Sequence, residues 1–152
     1  VSSDRGALIN AITDLIQRTS VLTTKMSQTA AGLLGINTTD LRCLQFLQAG
    51  PRTAGELARE TGLTTASITT ALDRLEAGGF VQRVRDTADR RRVLVKLRPT
   101  HTREHVAPVF TPLLKRWHAA LSDYDDDQLR LIAEAFTKID DALEAELDEM
   151  VD

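Results

Sequence analysis

Apolar residues recur at three- and four-residue steps along most of this chain, and a two-residue alternation appears in one place. Leu8, Ile12, Leu15, Ile16, Thr19, Leu22 and Met26 trace one face of a long amphipathic helix that ends near Gly32 or Gly35. Leu41, Leu44, Phe46 and Leu47 mark a shorter helix, opened by the Thr39-Asp40 pair and closed by Gly50-Pro51. Thr53 followed three residues later by Glu56 is the pattern of a capping box, in which each side chain bonds the other residue's backbone N–H. Ala54, Leu57 and Ala58 continue at helical spacing, and Gly62 supplies a C-terminal stop. After Leu63, either Thr64 or Thr65 caps a further helix whose apolar Ile68, Ala71, Leu72 and Leu75 share one face, and Gly78 and Gly79 end it.

From Phe80 to Asp86 and from Arg92 to Leu97 the period changes to two, with Val93, Val95 and Leu97 on one side and Arg92, Leu94 and Lys96 on the other. That alternation predicts two strands joined by the polar connection Thr87-Ala88-Asp89-Arg90-Arg91, a β-hairpin with consecutive cations at its tip. Helical spacing then returns. Val106, Val109, Phe110, Leu113, Leu114, Trp117 and Leu121 predict another helix, and Pro108 and Pro112 within it predict a late start or a kink. The cap-rich loop from Ser122 to Asp127 precedes a last helix, in which Leu129, Ile132, Phe136, Ile139, Leu143, Leu147 and Met150 form a stripe with nearly heptad steps. The fold class that follows is mainly α with one small β-hairpin.

Two helices joined by a short turn containing a glycine form a helix-turn-helix, whose second helix enters the major groove of DNA. The face of that helix turned away from its apolar stripe carries Thr65, Ser67, Thr69, Thr70 and Arg74. Short hydroxyls suit such a position because a helix in the groove approaches bases and phosphates closely, and Ser or Thr can donate or accept to either. An ordinary solvated helix is also often rich in threonine, so the hairpin decides between the two readings. Arg90 and Arg91 at its tip are placed to enter a narrow, strongly negative minor groove, and Arg83 and Arg85 on the first strand complete the expected contacts. Asp89 is expected to orient one of these arginines through a charge-assisted pair.

The net charge of −3 conceals a divided molecule. Residues 52–98 hold ten Lys or Arg against six Asp or Glu, residues 1–51 four against three, and residues 99–152 five against thirteen. A basic middle beside an acidic C-terminal third predicts one surface facing phosphate and another held away from it.

The segments ELARETGLTTASITTALDRLEAGGFVQR and DTADRRRVLVKL together resemble the multiple antibiotic resistance regulator (MarR) family of bacterial winged-helix transcription factors, with Asp89 and Arg91 where the Asp-x-Arg wing motif of that family falls. One long helix before the motif and two after it extend the likeness over nearly the whole chain. After the last wing strand many members read Leu-Thr-Pro and then a glycine, whereas this chain has Leu97-Arg98-Pro99-Thr100-His101. The resemblance implies a winged helix-turn-helix core flanked by N- and C-terminal dimerisation helices, a repressor that covers a promoter, and release by a small molecule. Some relatives bind small aromatic anions between dimer and reading head, which makes Arg116 and Trp117 candidates for an effector site, although core packing is the expected role of Trp117.

At 152 residues the chain matches one domain, by the usual prior of roughly 100 to 200 residues each. Within it, about 36–98 form the winged-helix lobe, and about 5–34 and 100–150 a helical dimerisation region. Long helices with apolar seams have little of their own chain to cover them, so a homodimer is expected. Its two reading heads would meet half-sites about 34 to 36 Å apart, which calls for a palindromic operator in double-stranded DNA. With no signal peptide, one cysteine and no apolar run near the ~20 residues that span a bilayer, a bacterial cytoplasmic protein is expected, at the nucleoid when bound to DNA and without a membrane partner.

Some relatives sense oxidants through a cysteine or hold zinc, so a redox- or metal-sensing regulator of the same fold is an alternative. Cys43 lies inside the apolar run LRCLQFL, which predicts a buried structural thiol. His101, Glu104 and His105 have helical ligand spacing, yet no cysteine or further histidine is near them in sequence, and a solvated helix start is the expectation. No cofactor or metal is implied. Enzyme motifs are absent: there is no phosphate loop, nucleophile elbow or His-Glu zinc pair at a working spacing. The remaining alternative is a winged helix used as a protein-interaction module, whose arginines meet acidic partners.

Overall fold

A computed structural model describes residues 2–151, whose contacts gather into two compact units that divide between Phe110 and Thr111. The first unit opens with α1 (Ser2–Leu34), a single helix of 33 residues. Its last turn closes as Gly35 N–H bonds the Gly32 carbonyl and Ile36 N–H the Ala31 carbonyl. Next comes α2 (Thr38–Gln48), and its cap is Asn37, not the expected Thr39-Asp40 pair. Asn37 Oδ1 accepts from the Asp40 N–H at 2.8 Å while the Asp40 carboxylate accepts from the Asn37 N–H at 3.4 Å. Asp40 is thus the third helical residue, the acid of a reciprocal box, and the helix starts before it.

The helix-turn-helix forms as the pattern predicts. Thr53 and Glu56 close their box around the start of α3 (Ala54–Thr61), with N···O distances of 2.7 and 3.1 Å. Gly62 ends that helix at φ 69°, a left-handed turn that any Cβ would disfavour. Thr64, of the two candidates, then caps α4 (Thr65–Ala77).

The hairpin consists of β1 (Val81–Arg85) and β2 (Val93–Leu97), antiparallel with Val81 opposite Leu97 and Arg85 opposite Val93. Both strands are shorter than the alternation suggested. Phe80 belongs to the helix exit, where its N–H bonds the Leu75 carbonyl at 2.9 Å and its ring enters the core. Arg52 adds a third extended contact, exchanging backbone bonds of 3.1 and 2.7 Å with Val95. A single residue bridging to a strand has no periodicity, so the sequence does not announce it.

Beyond the hairpin the prolines left a late helix start or a kink open, and the structure shows no late start. The helix starts early, with Pro99 in the first turn of α5 (Pro99–His101), where a missing N–H and a fixed φ cost nothing. A π turn follows over Thr102–Val106, in which the Ala107 N–H reaches back to the Thr102 carbonyl, and α6 (Ala107–Leu121) continues with Pro112 inside it. The wider turn lies directly before Pro108, whose ring would otherwise crowd the carbonyl of Glu104 four residues back.

The core of the first unit is built from the inward faces of these elements. Ile68, Ala71, Leu72 and Leu75 of α4 are fully buried against Leu44 and Leu47 of α2, Leu57 of α3, Val81 and Val95 of the hairpin, and Val106. A smaller cluster of Ala30, Ala31 and Leu41 joins α1 to α2, with Val109 and Phe110 against it. Burying the same stripe that the helical spacing marked leaves the opposite side of α4 outward. In the second unit, α7 (Asp126–Val151) opens with reciprocal bonds between Asp125 and Gln128. Its stripe is only partly covered: Leu129, Ile132 and Ile139 are half-buried, while Phe136, Leu143, Leu147 and Met150 are exposed.

Candidate nucleic-acid interface

Thr65, Ser67, Thr69, Thr70 and Arg74 all lie on exposed positions of α4. Their hydroxyls are already oriented. Thr69 and Thr70 donate to the Thr65 and Ala66 carbonyls one turn back, at 2.9 and 3.1 Å, while Ser67 shares a 2.9 Å bond with Thr64. With their protons turned toward the helix, Thr69 and Thr70 present lone pairs and methyl groups to an approaching ligand. Those groups can accept from a base amino group or meet a thymine methyl.

The arginines divide by what they touch. Arg74 grips Asp40 of α2 with two donors, Nη2 to Oδ1 at 2.7 Å and Nε to Oδ2 at 3.2 Å. This bond to Asp40 raises the Arg74 pKa. Arg83 of β1 is held by Asp73 at 2.6 Å and by Glu76, so it latches the hairpin to α4. Arg92 joins Glu56 of α3 at 2.8 Å and lies 3.8 Å from Asp86. Glu56 and Glu76 are both held below the usual carboxylate range, Glu56 chiefly by the Thr53 backbone N–H and Glu76 chiefly by that of Arg83. Asp40 and Glu56, which Arg74 and Arg92 reach, are 34 and 36 residues away, and nothing in local spacing could have found them.

At the hairpin tip the expected charge-assisted role of Asp89 is replaced by a backbone one. Asp89 Oδ1 accepts from the Arg91 N–H at 3.0 Å, and its carbonyl accepts from the Arg92 N–H at 2.9 Å. Among the described residues no ion pair involves Asp89, Arg90 or Arg91. A short Asp side chain satisfies the donor two residues ahead within the turn more readily than it spans to an arginine head. Arg85 Nη1 bonds the Arg90 carbonyl at 3.0 Å, closing the tip from the strand side. The result is a turn whose backbone is tied down while the Arg90 and Arg91 side chains project into solvent.

The candidate sensing residues are placed separately. Cys43 is fully buried in the core, as its apolar run predicts, and burial, aided by nearby Asp40, pushes its thiol up to about 11. His101 stacks on His105 with centroids 4.2 Å apart and meets the edge of Phe80 at 4.6 Å. The His101 ring is therefore packed and half-buried, while Glu104 and His105 are exposed, as a solvated helix start predicts. Trp117 is 52% exposed, so the core role expected for it is not supplied by its own chain. Arg116 beside it is exposed as well.

A helix pair with an outward polar second helix, followed by a two-stranded hairpin with a cationic tip, defines a winged helix-turn-helix, the DNA-binding architecture of transcriptional regulators. The chain belongs to the MarR family, whose profile matches residues 34–92. It is 36% identical over 149 residues to YcgE of Bacillus subtilis (strain 168), an uncharacterized HTH-type transcriptional regulator, spanning 97% of this chain and 96% of that one. Among solved structures it is similar to the transcriptional regulator BldR from Sulfolobus solfataricus, with 29% identity, a TM-score of 0.56, and 90% and 94% of the two chains covered. It also shares the fold of a mutant of Staphylococcus aureus MepR bound to an oligodeoxyribonucleotide, with 19% identity, a TM-score of 0.56, and 87% and 97% coverage. The protein is a DNA-binding transcriptional regulator of this family.

Proposed function

We propose that the protein is a homodimeric cytoplasmic repressor that binds an inverted-repeat operator and is released by a small molecule. The observation that carries this reading is the outward polar face of α4, latched through Arg83 to a hairpin whose tip residues Arg90 and Arg91 have no ion-pair partner among the described residues. In it, Thr65, Ser67, Thr69 and Thr70 enter the major groove, Arg90 and Arg91 reach the flanking minor groove, Arg74 meets the backbone, and Arg83, Arg85 and Asp89 brace the wing. MepR bound to an oligodeoxyribonucleotide supports the use of this fold on DNA. Dimer formation is supported by exposed apolar side chains on each unit, among them Leu8, Ile12 and Leu15 on α1 and Phe136, Leu143 and Leu147 on α7. A small aromatic or anionic effector is assigned to the vicinity of Arg116 and half-exposed Trp117.

Salt titration tests the reading. An inverted-repeat duplex from the region flanking the gene should bind with log affinity falling steeply against log salt, and should be strongly preferred over random duplex. Replacing Arg91 with Ala should weaken that binding by about 1 to 3 kcal/mol. Salt-independent binding, or equal affinity for random DNA, would overturn the regulator mechanism, and undiminished affinity of R91A would remove the wing from it.

A further inference from the structure

Arg74 and Asp40 form a pair whose two members differ sharply in exposure. The Asp40 side chain is 2% exposed and that of Arg74 is 46% exposed. Asp40 also accepts the Asn37 N–H that opens α2, so its position is set by a helix start as well as by the arginine. On the other side, Arg74 uses only the Nε and Nη2 edge of its guanidinium toward Asp40. The Nη1 end is left over, and it belongs to a side chain on the same face of α4 as Ser67 and Thr70, at helical steps of four and three.

This asymmetry determines what DNA can do to the pair. If a phosphate drew Arg74 away, it would leave Asp40 as a buried carboxylate without its cation, the most costly way to break such a pair. A phosphate that accepts from the outward end of the guanidinium keeps both interactions, because a planar fork can serve two acceptors at once. We infer that Asp40 is a positioning residue for DNA recognition: it holds Arg74 in one orientation in the free and the bound protein and so delivers the Nη1 end to a backbone phosphate beside the bases that α4 faces. Arg74 thereby reads no base and sets the register of α4 on the duplex. Asp40 touches no DNA. The inference rests on the outward α4 reading above and adds to it a residue on a different helix.

The test measures anisotropy of a labelled duplex from the intergenic region flanking the gene, across a potassium chloride series, with melting temperatures as the folding control. R74A should lower the slope of log affinity against log salt by about one. D40N should leave the slope unchanged and weaken binding about two- to tenfold, the cost of ordering a released side chain. In the R74A background, D40N should cause no further loss, which separates positioning from a general effect on the fold. R74K, which keeps the charge and loses the fork, should retain the slope and weaken binding by a similar factor, and it serves if D40N does not fold. Wild-type affinity for D40N, an equal D40N loss with and without Arg74, or an unchanged slope for R74A each overturns the inference. Absence of salt-dependent binding by the wild-type protein instead overturns the regulator mechanism on which it stands.

Discussion

Arg74, Arg83 and Arg92 each face acids of their own protomer, whereas Arg90 and Arg91 are held in their turn through backbone atoms alone. The three paired arginines lose freedom before DNA arrives, so they shape the reading head more than they attract it from a distance. In the proposed complex the long-range attraction falls to the tip, where a hydrated cation keeps its charge unneutralised. Arg74, Arg83, Arg90 and Arg91 are all expected near DNA from the sequence, because charge is visible there and partners are not. Glu76 offers a check at this scale. The backbone N–H and guanidinium of Arg83 stabilise its ionised form, so its pKa in the folded state lies below the ordinary 4.5. The sign follows directly: the contribution is complete above that ordinary value and is lost as pH falls through the depressed one. E76Q should therefore melt earlier than wild type at neutral pH, and the gap in melting temperature should close in acid. A gap that persists unchanged well below the ordinary carboxylate range would show that the latch does not act through the charge of Glu76.

Both of the first two short helices begin with a reciprocal box, and in each the acid has a second task. Asp40 opens α2 and holds Arg74 of α4, while Glu56 opens α3 and holds Arg92 at the edge of the wing. Helix starts thus double as anchor points for α4 and the hairpin. The box at Thr53 was legible because both of its members follow the expected spacing, and the one at Asn37 was missed because Thr39 and Asp40 offered a nearer polar pair. Pro108 left two outcomes open, a late start or a kink, and the late start did not occur. A proline reports only the bond it cannot make, and whether the chain answers by stopping or by widening one turn depends on the packing around Val106 and Phe110. The turn between α3 and α4 gives the prediction for this scale. Gly62 has open space where a Cβ would stand, so G62A meets only the backbone penalty of φ 69° and should destabilise the protein by about 1 kcal/mol in denaturant unfolding. A neutral result would mean that the turn relaxes away from the left-handed conformation.

At the scale of the whole molecule, an acidic C-terminal third and a basic middle share a chain whose terminal helices expose their seams. Leu143 is 56% exposed, so L143D removes no core contact of the protomer and should shift a dimer toward monomer in sedimentation while the circular dichroism stays helical. Operator affinity should fall with it, because two half-sites can no longer be engaged at once. A wild-type protein that sediments as a monomer would count against the dimeric repressor. The order of elements, the buried stripe of α4, the buried cysteine and the cationic tip could all be derived from residue order, because helical and strand periods, caps and burial preference act over a few positions. Three features were decided only when the chain closed on itself: the pairing of Arg74 with Asp40 and of Arg92 with Glu56, the bridge from Arg52 to Val95, and the π turn before Pro108. The pairings and the bridge depend on which distant group arrives at a given side chain or carbonyl, and the π turn on how the chain around Pro108 meets its neighbours; both are properties of packing that no local pattern encodes.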